Sequence, residues 1–479
     1  MTGGIVKDNT ANGHGGAIYL HYHASNGVGT MTMSGGTISD NTATGNGGGV
    51  CMAQNTSFTM TGGTISGNTA TGDGGGIQMN KTGAQVTISN TGVISGNTAT
   101  GNGGAICNIN GSTLTMNGGT ISGNTAKGAL GGGAVDVQGT FNMNDGTIEN
   151  NSADNNGGAM YIRNNGVMTM KNGKISGNTS NGGDGGGAVD VVAGGIFNME
   201  GGKITGNTAP AGLAVFLSPS NNNTLAKMTM SGGEISGHHK GANTSSHGGA
   251  IFVHSNAEFA MTGGTIKDNS TGKGDGGAIR LHYNSTAYGS GKHKGSGYMT
   301  MSGGSIEQNY AESGRGGALD IAGEFLMSGG TIQNNQAKAN VAGAIYLEAS
   351  GKMTMSESAN IQNNTSKKEG GAIYHSAGGT LNIQGGIISG NQATDGSSGA
   401  GGAILTYGTV TMSGGEISGN TAKTRGGAIF MHYNSKMTMS GGEISGNTAE
   451  GNGGAIFLYK NANGYSSMTM TSGTISNNI

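Results

Sequence analysis

The chain of 479 residues is poor in several residue types that ordinary globular domains use freely. It has no tryptophan, two prolines and two cysteines, and its charged residues amount to 10%, against roughly 25% in a typical globular domain. Two cysteines exclude a disulfide framework. A net charge of −2 provides no attraction to nucleic acid or to an anionic membrane. No run approaches the ~20 apolar residues of a membrane-spanning helix, so we expect neither nucleic-acid binding nor membrane insertion by this segment.

Glycine is abundant instead, at 103 positions, and so is methionine, at 26. A chain rich in glycine and poor in charge is typically disordered, but here the glycines recur in register. The copies approximate MTMSGGTISGNTATGNGGAI, and the isoleucine of the GGTIS block marks each copy. Seventeen such isoleucines run from Ile5 to Ile475, a mean spacing of (475 − 5)/16, or about 29 residues. The commonest spacing is 27, as from Ile94 to Ile121.

Each copy contains three short apolar alternations separated by glycine or asparagine. Examples are Met31-Thr32-Met33, Thr37-Ile38-Ser39 and Ile18-Tyr19-Leu20. Successive side chains of a strand point to opposite faces, so we expect the middle residue of the first and third strands to face outward. Three strands and three turns per copy predict an all-β fold, and the preference of parallel crossovers predicts its right hand.

The predicted fold is therefore a right-handed parallel β-helix. We expect a single continuous array over residues 1–479, with about 16–17 coils of ~27–29 residues and no separate second domain. Both termini read as the middle of a repeat, which favours a fragment of, or a subunit from, a longer array. Unpaired strand edges at such ends invite head-to-tail stacking, so a self-assembling filament subunit is an alternative function.

Equivalent positions of successive coils stack in columns about 4.8 Å apart. A methionine column that includes Met33 and Met60 is interpreted as flexible core filler. A second column places asparagine three residues after the marker isoleucine, with His238 as its exception. Stacked carboxamides can hydrogen-bond from coil to coil, and asparagine tolerates the left-handed backbone of a tight corner. The predicted structural ladder includes Asn41, Asn68, Asn97, Asn124, Asn151, Asn178 and Asn207.

The outward column of the third strand raises an enzymatic alternative. It contains Asp136, Tyr161 and Asp190 on three successive coils, with Arg163 nearby. The two aspartates would lie two coils, or roughly 9.6 Å, apart, near the upper limit of the ~6.5–9.5 Å carboxyl separation of inverting glycosidases. Because the column is variable, we favour solvated aspartates and a protein that is not an enzyme. A polysaccharide lyase or hydrolase using Asp136 and Asp190 stays an alternative.

Other patterns indicate weaker sites. His254 and His282, each just after a third strand, fall on adjacent coils, but two imidazoles without a third ligand make a poor metal site. We interpret these two, together with His21, His375 and His432, as solvated turn histidines. Cys51 and Cys107 lie in one outward column with Gln78 between them, too far apart for a disulfide, so free thiols are expected. The sequence predicts no metal and no cofactor.

Two motifs, GGA[IV] and apolar-x-x-Asn, recur together along the chain. They occur as Gly16-Ala17-Ile18 with Ile38-x-x-Asn41, Gly104-Ala105-Ile106 with Ile121-x-x-Asn124, and Gly454-Ala455-Ile456 with Ile475-x-x-Asn478. In this pairing the whole chain resembles the repeats of polymorphic outer membrane proteins, β-helical adhesins of chlamydiae with related repeats in other bacterial surface proteins. Isoleucine stands here where that family usually has phenylalanine. The resemblance implies an extracellular, bacterial cell-surface location and an adhesin or structural stalk.

Insertions lengthen five copies, and four of them lie between a third strand and the next first strand, at 21–30, 218–227, 282–298 and 459–467. The fifth, 238–247, lies at another corner. Insertions in solenoids map to loops on one face, often the binding face, although tolerated loops without a partner are equally compatible. Tyrosines among small polar residues suit recognition of glycans or proteins of host or neighbouring cells. The binding candidates, with an outward aromatic stripe included, are Tyr22, His282, Tyr283, Tyr288, Lys292, His293, Lys294, Tyr298, Tyr459, Tyr465, Phe216 and Phe252.

Overall fold

The computed structural model describes residues 1–22, 29–182, 185–218, 224–239, 248–285, 292–462 and 464–479. These residues form β-strands and turns, and among them is no helix long and apolar enough to cross a membrane. The chain divides into two compact units, Met1–Thr229 and Met230–Ile479. The single continuous array stays a prediction, and each unit is described by itself.

The first unit is a stack of parallel coils in which each strand pairs with its equivalents in neighbouring coils. The first and second strands either merge or stay separate, at Thr2–Lys7, Thr30–Ser39, Ser57–Ser66, Gln85–Ile88, Val93–Ser95, Thr113–Ser122, Thr140–Glu149, Val167–Met170, Lys174–Ser176, Ile196–Met199, Lys203–Thr205 and Lys227–Met230. The third strands are Ile18–Leu20, Val50–Met52, Ile77–Met79, Ile106–Asn108, Val135–Val137, Met160–Ile162, Val189–Val191 and Val215–Leu217. Two-residue strands follow the ladder asparagines at Thr10–Ala11, Thr42–Ala43, Thr69–Ala70, Thr98–Ala99, Thr125–Ala126, Ser152–Ala153 and Thr179–Ser180.

The second unit repeats this architecture. Its first and second strands are Glu234–Ser236, Glu258–Met261, Thr265–Lys267, Tyr298–Glu307, Glu324–Gln333, Lys352–Met355, Asn360–Gln362, Thr380–Ile383, Ile387–Ser389, Thr409–Met412, Glu416–Ser418, Lys436–Ser445 and Ser467–Ser476. Its third strands are Ile251–Val253, Ile279–Leu281, Leu319–Ile321, Ile345–Leu347, Ile373–His375, Ile404–Thr406, Ile429–Met431 and Ile456–Leu458. Its two-residue strands are Ser270–Thr271, Tyr310–Ala311, Gln336–Ala337, Thr365–Ser366, Gln392–Ala393, Thr421–Ala422 and Thr448–Ala449, and Lys460–Asn461 pairs with Gly464–Tyr465 in an antiparallel hairpin.

Each unit is thus a parallel β-helix, with a fourth, two-residue strand added to the three predicted per coil. The inward columns pack as the alternation predicts. Met33 pairs in register with Met60, and Met116 pairs with Met143. All four side chains are fully buried. Burying one such side chain is worth about 1.5–3 kcal/mol relative to leaving it exposed, so these columns are a main source of stability.

The asparagines after the second strand form the predicted ladder. Nδ2 of Asn124 donates to Oδ1 of Asn151 at 2.9 Å, and the backbone N–H of Asn124 donates to the same oxygen at 2.9 Å. The same Nδ2 also donates to the carbonyl oxygens of Ile94 and Ser122. The carboxamide bonds repeat from Asn41 to Asn207. We call this turn the ladder corner.

The left-handed backbone of the ladder corner does not belong to the asparagine, so that expectation is wrong. Positive φ falls on the residue before it, as at Asp40 (57°) and Gly123 (64°). The backbone N–H of the asparagine itself donates to the next carboxamide, as from Asn124 to Asn151. A second corner lies at the glycine pair before the third strand, where the first glycine has positive φ, as at Gly103 (66°).

The outer face of the third strand is covered in most of the described coils, against the expectation of a solvent-facing column, whereas Tyr19 of the first coil is exposed. Every residue of Val50–Met52 and Val135–Val137 is buried. The cause is the glycine-rich loop before the strand, which folds back over it. A Cβ atom added at Gly47 would lie 3.0 Å from Cβ of Cys51. Longer loops add apolar cover, as where Val341 packs with Tyr346.

Candidate functional site

The two aspartates of the enzymatic alternative are buried rather than solvated. Asp136, Tyr161 and Asp190 are neighbours in register on three coils, as predicted, but both carboxylates are fully buried. Arg163 donates from Nε and from a terminal nitrogen to the two oxygens of Asp136, at 2.9 Å each. Gln138 donates to one of the same oxygens at 2.9 Å. A carboxylate neutralised and enclosed in this way is a structural ion pair and a poor acid or base for a substrate.

The cysteines are also covered. Cys51 and Cys107 are free and buried, and Gln78 pairs in register with each of them, so the prediction of free thiols is confirmed. Burial raises the pKa of Cys51 to about 12 and raises the pKa of Cys107 well above its usual value. Both sulfurs are therefore protonated thiols at neutral pH, and the thiolate is the reactive form.

The histidines after the third strands occupy different environments. The rings of His254 and His282 lie 4.4 Å apart between centroids, and Nδ1 of His282 lies 3.2 Å from Oγ of Ser255. The described part of the chain contains no group of three His, Cys, Asp or Glu side chains that could hold a metal ion. For His375 the expectation of a solvated turn residue is wrong. It ends a third strand and is fully buried, and burial lowers its pKa to about 4.

The connection from a third strand to the next first strand, which we call the variable corner, contains the candidate binding residues. In the second unit it takes four residues in several coils, as at 376–379 and 432–435, but only two at Ala322 with Gly323 and at Tyr407 with Gly408. A Cβ atom added at Gly408 would lie 2.6 Å from the ring of His375. The short corner is therefore drawn in against the preceding coil, and only glycine fits there. The variable corners of the adjacent coils, about 4.8 Å away, are longer, so a notch remains between them.

The notch at Ala322 and Gly323 collects several of the predicted binding residues, and we call it the lysine-lined notch. It forms a cavity of about 500 Å³ whose lining residues are Tyr283, Lys292, His293, Lys294, Ser296, Glu324, Ala349, Ser350, Lys352 and Gly378. The ring of His293 stacks on Tyr298 at 4.4 Å between centroids. Nε2 of His293 lies 2.7 Å from Oε1 of Glu258, which also pairs with Lys292. These contacts hold the end of the insertion against the coil.

The notch at Tyr407 and Gly408, the tyrosine-lined notch, has cavities on two sides. One, of about 430 Å³, is lined by Ala377, Gly378, Gly379, Thr380, Tyr407, Gly408, Thr409, Asn434 and Lys436. The other, of about 410 Å³, is lined by Glu369, Gly396, Ser397, Ser398, Ala400, Thr424, Arg425, Phe430, His432 and Tyr459. Tyr407 and His432 stack at 4.2 Å between centroids, so one ring of this pair lines each cavity.

The other predicted binding residues do not join these notches. Phe216 and Phe252 are only 2% and 3% exposed, so the expected exposed aromatic stripe is wrong. His282 packs with the ring of Phe252 at 5.9 Å between centroids. Tyr22 is partly buried, and Tyr465 is exposed in the short hairpin. Tyr288 lies outside the described residues.

Among the residues that line the tyrosine-lined notch, the sequence pointed only to Tyr459 as a binding candidate, through the insertion at 459–467. The marker spacing in this coil, 417 − 388 = 29, is ordinary. It conceals two compensating changes. The segment from Asn391 to Ile404 spans 13 residues against 9 from Asn420 to Ile429, while the following corner is two residues short. Counting the segments of each coil separately would have exposed this coil.

Comparison with protein families agrees with this architecture. Residues 31–209 match the right-handed β-helix region, and residues 358–376 and 442–459 match the repeat of the Chlamydia polymorphic membrane protein. Both repeat matches contain the two motifs in order, as in Ile361-x-x-Asn364 with Gly371-Ala372-Ile373. The chain is therefore a right-handed parallel β-helix with repeats of the polymorphic membrane protein type, as predicted. No curated protein and no solved structure matches significantly.

Proposed function

We propose that this protein works at a bacterial cell surface as an adhesin or stalk, and that its binding sites lie along the variable corner. The observation that carries the proposal is the pair of notches in the second unit, each placed where this corner shortens to two residues. Their volumes of about 410–500 Å³ fall within the ~300–1,000 Å³ typical of ligand sites. The surface location rests on the repeat type.

The lining residues favour binding over catalysis. Tyrosine, lysine and small polar side chains give apolar faces and hydrogen-bonding tips on one surface, which suits recognition of glycans or proteins. Asp136 and Asp190, the carboxylates of the enzymatic alternative, are fully buried in the first unit. A shaft that displays ligand sites along one corner is the function these features support best.

Adhesion can be tested with fluorescent beads coated with the whole chain and incubated with cultured epithelial cells or bacterial cells. We expect the beads to attach, and attachment should fall several-fold for a variant with Tyr283, Lys292, Lys294 and Tyr407 changed to alanine. A matched variant with four exposed first-strand threonines or serines changed to alanine, Thr30, Thr32, Ser34 and Thr438, should attach like the wild type. Failure of wild-type beads to attach to either cell type would contradict the proposal, and equal attachment by both variants would remove the variable corner from it.

A further inference from the structure

The tyrosine-lined notch differs from the rest of the variable corner in its density of ordered aromatic rings. Tyr407 stacks on His432, meets Tyr374 at 5.8 Å, and meets Tyr433 edge-on at 5.9 Å between centroids. His432 in turn lies 4.8 Å from Tyr459. All five side chains are partly exposed. Rings that hold one another in place lose little conformational entropy when a ligand binds.

The polar groups around these rings are held in place as well. Oδ1 of Asp395 accepts hydrogen bonds from the backbone N–H groups of Ser397 and Ser398, at 2.8 and 3.1 Å, and from the Ser397 hydroxyl at 2.5 Å. These bonds lower the pKa of Asp395 to about 2, and the bond from the Ser397 hydroxyl contributes most. The serine turn is therefore preformed at any physiological pH, at the edge of the cavity.

The two notches differ in the charge of their lining residues. The cavity beside His432 is lined by one acidic and one basic side chain, Glu369 and Arg425, whereas the lysine-lined notch has three lysines against Glu324. Burial lowers the pKa of His432, so its ring is neutral at pH 7. Lys436 in the second cavity leaves the tyrosine-lined notch with one excess positive side chain against two in the lysine-lined notch, so it combines aromatic faces, donors and acceptors with the smaller excess charge.

We infer that the tyrosine-lined notch binds an uncharged oligosaccharide, with a pyranose ring against Tyr407 or His432 and sugar hydroxyls bonded to Glu369, Arg425 and the serine turn. The C–H face of a pyranose is apolar and complements the electron-rich face of an aromatic ring. Its hydroxyl rim needs both donors and acceptors, which these side chains supply. Because the stacked pair lines a cavity on each side, more than one sugar unit can make contact. The inference rests on the proposed function and specifies its ligand.

The test measures binding of the whole chain to immobilised neutral probes (maltohexaose, cellohexaose, mannohexaose and lacto-N-tetraose) and to acidic probes (a heparin hexasaccharide and hexagalacturonate). We expect binding to at least one neutral probe. Tyr407→Ala should weaken it at least tenfold, and Tyr407→Phe, which keeps the ring, should stay within about threefold of the wild type. Tyr310→Ala, which removes a tyrosine beside the ladder corner, is the matched control and should bind normally.

A second variant protects the test against misfolding. Insertion of Gly-Ser after Tyr407 restores the four-residue corner of the neighbouring coils, so it should fill the notch, keep the melting temperature and abolish binding. Three results would overturn the inference: binding to acidic probes alone, no binding to any probe, or neutral binding that neither Tyr407→Ala nor the Gly-Ser insertion weakens. If coated beads attach to cells while no neutral probe binds, the carbohydrate inference fails and the adhesin proposal stands. If a neutral probe binds while beads do not attach, the adhesin proposal fails and the carbohydrate inference stands.

Discussion

The ladder corner and the variable corner of the same coils are constrained differently. At the ladder corner, Nδ2 of Asn364 donates to Oδ1 of Asn391 and to the carbonyl oxygens of Ile332 and Gln362, at 3.0 Å each. Three coils therefore share one buried side chain, and an asparagine lies three residues after every marker isoleucine except Ile235, where His238 takes its place. At the variable corner the bonds between coils differ from place to place, as where Oγ of Ser350 donates to the carbonyl oxygen of Ala322 at 2.9 Å, and the length of the corner ranges from two residues to sixteen, at 282–297. One corner sets the stacking, and the other is free to acquire ligand sites.

The largest expected effect comes from one insertion at each corner of a single coil, which tests whether the two corners differ in their tolerance of extra residues. Two glycines inserted between Gln362 and Asn363 would carry Asn364 out of the ladder and leave buried donors and acceptors unpaired. We expect a loss of more than about 3 kcal/mol in the free energy of unfolding, since each unpaired buried group costs about 1–3 kcal/mol. The same insertion after Ala349, at the exposed variable corner, should cost less than about 1 kcal/mol. Urea unfolding measures both, and equal losses would contradict the difference between the corners.

A smaller effect is expected when a single ladder side chain is removed. Asn124→Ala deletes the bonds to Asn151, Ile94 and Ser122 and should lower the free energy of unfolding by about 2–3 kcal/mol. Asn117→Ala, at an exposed position of the strand Thr113–Ser122 that precedes this asparagine, should change the free energy of unfolding by less than about 0.5 kcal/mol. Thermal melting of the two variants beside the wild type is sufficient. Superimposable curves for Asn124→Ala would show that the ladder does not stabilise the stack.

The smallest expected effect concerns His238, which stands in the ladder in place of asparagine. Its Nδ1 lies 3.0 Å from Oδ1 of Asn269, and burial lowers its pKa to about 4, against about 6.5 in an unfolded chain. The folded state therefore binds this proton less readily. Its contribution to stability is complete above pH 6.5 and declines as the pH falls towards 4, by about 2 kcal/mol at pH 5.

His238→Asn should restore the carboxamide and remove this part of the pH dependence. Urea unfolding at pH 8 and pH 5 measures it, and the loss between the two pH values should shrink by about 2 kcal/mol. Buried His375, whose pKa burial also lowers to about 4, and His432, whose pKa burial also lowers, contribute acid sensitivity of the same sign. A variant whose loss matches that of the wild type would exclude His238 as a source of acid sensitivity.

Much of the fold could be predicted because its signals are local and repeated. The spacing of Ile94 and Ile121, the alternation at Met33 and the asparagine three residues after each isoleucine are each repeated along the chain. The left-handed residue was misassigned by one position, because asparagine and the glycine or aspartate before it both tolerate that backbone. The lysine-lined notch was partly predicted, since Tyr283 and Lys292 lie in a visible insertion. The tyrosine-lined notch was not, since a loop four residues longer and a corner two residues shorter largely offset each other and leave the marker spacing at 29, close to the mean.

The number of residues per coil, the inward columns and the ladder follow from the sequence alone. Each depends on side-chain alternation and on identical residues stacked at a constant rise. Tertiary structure decided what covers the third strand. The glycine-rich loop folds back over it, so Asp136, Cys51 and Phe252 are enclosed although alternation points them outward. The positions of the notches likewise follow only from the folded chain, because a notch depends on the lengths of three neighbouring corners, and that relation exists only once the coils are stacked.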